Sequence, residues 1–433
     1  MADKEYRVRP DGFGGFIVES FDSGEFTAIL IAIAAVLLFG IFWLLYKMVT
    51  TKIGRIILLA ILGISILGYA LVALFDPFFG EPLQYMLSED EAYYSVSGVL
   101  DSDIINIEIP ATINGKPVKH ISNSAFEDCD KIESVTIPNG IVSIGASAFK
   151  NCDSLKNVTI SNSVVSIGDE AFCACDSLTS VAIPNNITSM GKGVFKWCSS
   201  LKNVTLPSNM NGFPEYMFFN YYSLETVTIP NGVTSISDNA FKDCEKLKSV
   251  TIPDSVTSIG DSAFYNCENL TSIAIPNSVT SIGDEAFYGC DSLTSVVIPN
   301  SVTNIGVGVF SDCDSLTSVT LPNNIQSIPS GMFYSLDSLK SITIPNGVTR
   351  IEDRAFAFCN SLTSITIPES VTYIGALALA YDHSLTTINY SGTEAQWEAI
   401  EKYDGWSSID GILYWNASTD NYTVYCTDGI ITK

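Results

Sequence analysis

The sequence predicts a solenoid of 23-residue units, each a short parallel strand plus a single helical turn, preceded by a two-helix transmembrane hairpin. Three observations carry that expectation. Cysteine recurs at 129, 152, 175, 198, 244, 267, 290, 313 and 359, and every gap is 23 or 46 residues. Phenylalanine stands three residues before each rung from Phe126 to Phe356, and leucine three after it from Leu155 to Leu385. Two runs without a charge, 26–46 and 56–75, come before all of this.

Residues 1–25 read as an N-terminal tail. The runs 26–46 and 56–75, taken as helices, are each long enough for about 30 Å of hydrocarbon, and neither has the polar stripe of a helix packed in a soluble core. The connector holds Lys47, Lys52 and Arg55 and no acid, whereas Asp22, Glu25, Asp76 and Glu81 flank the pair. The positive-inside rule then places the connector in the cytoplasm and both tails outside, with Lys4, Arg7 and Arg9 as the contrary signal. The expected location is a cell membrane, with two spans, the lipid bilayer as partner through 26–75, and the repeats extracytoplasmic. A linker, 76–91, and an N-terminal capping segment, 92–124, follow.

The repeats occupy 125–390, about twelve units, and a C-terminal capping segment fills 391–433. Ser180-Val181-Ala182-Ile183 alternates with period two and reads as a strand with Val181 and Ile183 inward. Pro184 removes a backbone donor and stops it. Gly260 to Cys267 reads as one helical turn with Asp261 as its cap. A single unit cannot bury its Val, Ile, Ala, Phe, Cys and Leu; stacked units bury them in a continuous core.

A second period lies inside the first. The rung cysteine is replaced by Tyr221 and by Leu336, 115 residues or five units apart. Leu206-Pro207 matches Leu321-Pro322 at the same offset, Val194-Phe195 matches Val309-Phe310, and Met217-Phe218 matches Met332-Phe333. A block of five units is duplicated.

The formal charge is −25; residues 81–433 contribute −24 of it, from 40 acids and 16 bases. Nucleic acid is excluded as a partner by this balance, and so is anionic lipid bound by bulk charge, because both need clustered Lys and Arg. The chain contains only His120 and His383, which argues against His-rich metal sites and His-based catalysis. Asp382-His383-Ser384 looks like a triad fragment but occupies the place that Cys313-Asp314-Ser315 holds elsewhere, so it reads as a repeat variant. No metalloprotease, phosphate-loop or dinucleotide fingerprint occurs. The rung cysteines read as buried thiols; Cys173 and Cys426 fall outside the ladder and are the better reactive candidates. No catalytic residue, cofactor or metal is expected.

The order L-x-x-[VI]-x-I-P…I-G-x-x-A-F-x-x-C, twelve times in register, closely resembles the BspA-like leucine-rich repeat family. Ile109-Pro110 to Val118 resembles its variant opening unit, and Tyr390 to Thr393 with Gln396-Trp397 its closing segment. The resemblance implies a bacterial, surface-exposed protein that binds proteins or host surfaces. The expectation is therefore a membrane-anchored, non-enzymatic binding or adhesion module for an unknown protein or glycan; the alternative is a structural envelope component or spacer without a specific ligand.

Two faces compete for such a ligand. The outward strand positions form a flat hydroxyl ladder, of which Ser249, Thr251, Ser272 and Ser295 are the candidate contacts; solvated strand surface is the plainer reading. The turn side gathers aromatics, densest at 213–222. Tyr216, Phe219 and Tyr222 align with Gly331, Tyr334 and Asp337 in the second copy of the block. Two of the three aromatics are thus dispensable for the core, which makes them the candidate partner-binding residues, against the alternative that they simply pack on one another.

Overall fold

The computed structural model describes residues 8–10, 16–18, 82–100, 103–403, 405–407 and 422–432. It separates into two compact units, Met1–Ser102 with Thr112–Val118, and Asp103–Ala111 with Lys119–Lys433. In the first, Val8–Pro10 pairs antiparallel with Phe16–Val18, Leu83–Leu87 with Tyr94–Val99, and Thr112–Ile113 with Lys116–Pro117.

The second unit is the solenoid, whose turns place strands in two parallel ladders; the turn of Asn203–Thr205 contributes only an isolated bridge, Phe213 to Ile236, to the second. In the first ladder Ser134–Ile137 pairs in register with Asn157–Ile160, and the alternation puts Val135 and Ile137 in the core and Thr136 in solvent. The second ladder follows the proline. There Ser166-Ile167 pairs with Ser143-Ile144 below and Ser189-Met190 above. This second strand was not legible in the sequence, because two residues are too few to show a period.

The expected single helical turns are absent. The only helix among the described residues is Glu394–Ala399, which lies beyond the repeats. In every repeat the residues five and one before the rung have positive φ, for example Ser262 at 50° and Asn266 at 53°. That handedness aims alternate N–H groups at the next turn instead of back along the chain. Ser262, Phe264 and Asn266 donate to the carbonyls of Asp284, Ala286 and Tyr288 at 2.7–2.8 Å. Positive φ costs a non-glycine residue about 1 kcal/mol, and one ladder hydrogen bond returns about the same. The conformation therefore persists only because neighbouring turns supply acceptors. A lone unit with these residues satisfies neither.

The second expectation that fails concerns the membrane. Among the described residues no helix is long and apolar enough to cross a bilayer. The spans expected over 26–46 and 56–75 lie outside the described residues. The two-helix hairpin, and the two-span membrane location drawn from it, form no part of the fold observed.

The core is a column. Phe126 to Phe356 stack ring on ring at 4.9–6.3 Å, nearly coplanar in orientation. Beside them run the cysteines, and from Cys152 to Cys359 each rung thiol donates to the Phe carbonyl 26 residues earlier, as Cys267 does to Phe241 at 3.3 Å. Cys152 through Cys359 are fully buried at the rung positions, so the inward assignment holds there.

The duplicated block is visible as two flaws in this column. The widest Phe spacings are Phe195–Phe218, 6.3 Å, and Phe310–Phe333, 6.2 Å. The first ladder stops after Asn203–Thr205 and after Ser318–Thr320, the second after Ser189–Met190 and after Asn304–Ile305. For the second ladder the cause lies in one residue. From Gly145 onward the N–H elsewhere at this position, mostly a glycine's, donates to a carbonyl of the turn below, as Gly283 does to Ile259 at 2.9 Å. Pro214 and Pro329 occupy that position at the two breaks and have no N–H to give. The first ladder also divides between Ser272–Ile273 and Ser295–Val297; no substitution there accounts for it.

The C-terminal end is closed within the same unit. Thr393 and Gln396 form a capping box for the short helix, and its Trp397 is buried against Tyr390 and Trp406 at 5.2 and 5.9 Å. Glu401–Lys402 and Thr423–Tyr425 extend the two ladders, and Ile430–Thr432 turns back antiparallel on the latter. The final strand thus takes up backbone groups that an open solenoid edge would present to other chains.

Candidate functional site

The turn face is built from the left-handed positions. The residues one and five before the rung have positive φ, and with the residue two before it they bring side chains to this face wherever these do not turn inward. In the first copy of the duplicated block those residues are Trp197, Lys196, Tyr216 and Phe219. They form one cluster. Tyr216 and Phe219 meet edge to face at 5.6 Å, Trp197 and Phe219 at 6.5 Å. Lys196 Nζ lies 4.2 Å from the Trp197 ring centre, 5.2 Å from Phe219 and 5.4 Å from Tyr216. The chain has built an aromatic cage around its own ammonium group, an arrangement worth about 0.5–1 kcal/mol per exposed pair.

Of the three turn-side candidates, the structure brings Tyr216 and Phe219 together. Tyr222 stands apart from the cage, exposed, with its hydroxyl donating to Asn220 Oδ1 at 2.8 Å. Sequence reasoning missed Lys196 as a member. Its signal was available: Lys196 sits two before the rung, the same offset as Phe219 and Tyr265.

The strand-face candidates Ser249, Thr251, Ser272 and Ser295 are all exposed, and Ser249 pairs in register with Ser272. They present hydroxyls without an aromatic or a charge among them. The threonines of the other strand are partly spent within the fold: Thr257 Oγ1 donates to the Thr234 carbonyl at 3.0 Å, and Thr280 repeats this one turn on at 3.2 Å.

Both breaks open grooves beside the second strand. One, of about 530 Å³, runs from Ile187 to Glu215; the other, about 470 Å³, lies between Ile282 and Pro329. A third, of about 580 Å³, lies on the turn face of the second copy, lined by Glu285, Tyr288, Gly331, Tyr334 and Phe358 among others. Among the described residues no group of three or more His, Cys, Asp or Glu side chains is arranged to hold a metal ion.

The thiols are placed differently from expectation at two positions. Cys173 is fully buried, and burial pushes its thiol up to about 12. Cys129, at the first rung, is half-buried and raised to about 11, again chiefly by burial. Cys426 is half-buried, as its place outside the ladder implied. Cys173 fails as a reactive candidate because its side chain turns inward beside the column instead of outward with its turn.

Asp382 is buried in the rung position at the last turn. Its Oδ1 accepts the Cys359 N–H at 2.7 Å, while Oδ2 has no partner. Desolvation raises its carboxyl to about 8. His383 beside it is exposed, and the pair assembles no triad.

The sequence profile of the BspA-type leucine-rich repeat region matches in overlapping stretches, 119–248, 213–308, 234–357 and 280–403. Among solved structures, a leucine-rich cell surface protein from Faecalibacterium prausnitzii is 31% identical, with 77% of this chain and 97% of that one covered and a TM-score of 0.47. A leucine-rich repeat protein from Bacteroides ovatus is 28% identical over 75% of this chain and 97% of that one, with a TM-score of 0.57. The pneumococcal vaccine antigen PcpA shares the fold at 21% identity and a TM-score of 0.55, covering 81% of this chain and 98% of its own. No curated protein matches. The profile takes in the strands, the rungs and the turn face alike, and this chain belongs to the BspA-type leucine-rich repeat family.

Proposed function

We propose that the chain is a non-enzymatic binding or adhesion module for a protein or glycan, and that its turn face makes the contact. The observation that carries this is the cluster of Trp197, Tyr216 and Phe219. Trp197 and Tyr216 sit at left-handed positions and Phe219 beside them, and the fold does not need the first two filled by rings, since the second copy of the block has Asp312, Gly331 and Tyr334 there. Trp197 remains 40% exposed, and exposed aromatics of this kind supply much of the energy at protein interfaces. The hydroxyl ladder offers many equivalent weak contacts and no anchor.

The test is a screen of the full-length chain against immobilised glycans and matrix proteins. A binding module retains one class of partner in preference to the rest. A spacer retains none, and that result sinks the proposal.

A further inference from the structure

The two copies of the duplicated block differ on the turn face in a consistent way. The first copy neutralises itself. Lys150 pairs with Glu170 at 2.6 Å, Lys192 with Glu215 at 2.7 Å, Lys196 fills the aromatic cage, and Lys242 lies 4.0 Å above the Tyr265 ring. In the second copy these four lysines are Tyr265, Val307, Ser311 and Ala357. The acid Glu170 is kept as Glu285, Asp238 as Asp353, and the ring of Phe219 as Tyr334. Arg354, at the position of Asn239, is the one basic residue added on the lining.

Removing the lysines and Tyr216 leaves space. Gly331 stands where Tyr216 does, at φ 59° against 54°, and the atoms nearest to a Cβ built there are 3.8 Å away. Ser311, in place of Lys196, folds inward and donates to the Gly331 carbonyl at 2.6 Å. The resulting groove of about 580 Å³ has a Glu285 and Tyr288 wall on one side. On the other, Tyr334 meets Phe358 edge to face at 5.3 Å, and Phe358 stacks on Tyr381 at 4.2 Å.

From this we infer that the groove between Glu285 and Tyr334 is a receptor for a lysine side chain of a partner protein. The first copy shows what such a surface takes up when the lysine belongs to the chain itself. The second keeps the acid Glu285 and one ring, Tyr334, gains the rings of Tyr288, Phe358 and Tyr381 where the first has Cys173, Asp243 and Asn266, and has no lysine on the lining. An ammonium group on a flexible stem satisfies both: its charge meets Glu285 and the ring faces, and its methylenes cover the aromatic floor. Arg354 on the lining sets the limit of the basic segment that fits, because a second positive charge next to the first meets it. The site is separate from the Trp197 cluster and stands or falls without it.

The test uses the full-length chain labelled with 3-fluorotyrosine and two blocked tripeptides, acetyl-Gly-Lys-Gly-amide and its norleucine counterpart. Fluorine NMR follows the Tyr334 resonance, assigned by Y334F. The lysine peptide should give a saturable shift, and the norleucine peptide should bind at least tenfold more weakly. The pair S311K and G331Y restores the first copy's own filling and should abolish the response; Tyr216 shows that this backbone accepts the ring. E285Q alone, which leaves the groove's shape intact, should weaken binding severalfold. Equal binding of norleucine would make the groove merely apolar. An undiminished response in the filled variant would reduce the effect to bulk attraction by the acidic chain. A shift produced by neutral pyranosides but not by lysine would make it a sugar site. Any of the three overturns the inference.

Discussion

Single residues carry more of this fold's character than its regularity suggests. The rung position shows it, since the same site takes Cys nine times, Tyr221, Leu336 and Asp382. A thiol fits because it is small, apolar and a weak donor to the carbonyl 26 residues before it. Burial keeps the rung thiols from Cys152 to Cys359 out of reach. Alkylation without denaturant should therefore modify Cys426 and then Cys129, with Cys173 as slow as Cys244; mass mapping of labelled peptides checks the order, and fast labelling of Cys173 contradicts its buried placement. Asp382 fits the site only as the neutral acid. Its folded value, about 8, lies above the ordinary carboxylate value, so between the two the native state holds the extra proton. Its contribution is present at about pH 4, near the unfolded value, and is lost as pH rises through about 8. Asp382→Asn keeps an acceptor for the Cys359 N–H and carries no charge. Thermal unfolding should show it stabilised on the order of 2 kcal/mol at pH 8 and little changed at pH 4. The pH dependence was not legible in the sequence, where Asp382 read as a repeat variant in a turn.

At the scale of the element, the strands and the inward column were legible and the turns were not. Val181 and Ile183 alternate with outward Ser180 and Ala182, and both are buried as that alternation requires. Gly260 to Cys267 has a helix cap residue and a helical spacing of apolar groups, and local propensity alone gives a helical turn. What overrides it is the acceptor row of the next turn, which exists only in the stack. The glycine that stands before most of these turns marks how close the turns come. At Gly283 an added Cβ would lie 2.6 Å from the Asp261 amide nitrogen, whereas at Gly331 the nearest atoms are 3.8 Å away. Gly283→Ala should cost about 1–3 kcal/mol as overpacking, and Gly331→Ala about 1 kcal/mol, from its positive φ alone. Equal losses in denaturant unfolding would show that the turn spacing is not what restricts Gly283.

The solenoid unit is a one-dimensional stack, and its weak points follow from its history. The five-unit duplication copied a flaw together with the repeats: Pro214 and Pro329 each remove one inter-turn donor, and the Phe column widens at both. In such an array stability is a sum of nearest-neighbour interfaces, so opening should start there. Native-state hydrogen exchange should find the amides flanking 205–226 and 320–341 less protected than those of 249–273. Uniform protection along the array would contradict it. The duplication was plain in the sequence, and so were the aromatics that distinguish its copies. Their grouping was not, because Lys196 and Trp197 belong to one turn and Tyr216 and Phe219 to the next, and only the 23-residue register brings them side by side. The membrane hairpin shows the opposite limit: apolar length predicts a span by itself, but among the described residues no helix of that kind occurs.

The central claim is that the turn face, and not the hydroxyl ladder, makes the contact with a partner. The direct measurement is the dissociation constant of a partner recovered in the screen, for two variants of the full-length chain. One carries Tyr216→Gly, Phe219→Tyr and Tyr222→Asp, the residues of the second copy; the other carries Gln at Ser249, Thr251, Ser272 and Ser295. The account predicts that the first stays folded and loses about 2 kcal/mol or more, roughly thirtyfold in affinity, while the second binds as before. Unchanged binding in the first, together with a loss in the second, would move the site to the strand face and contradict the account.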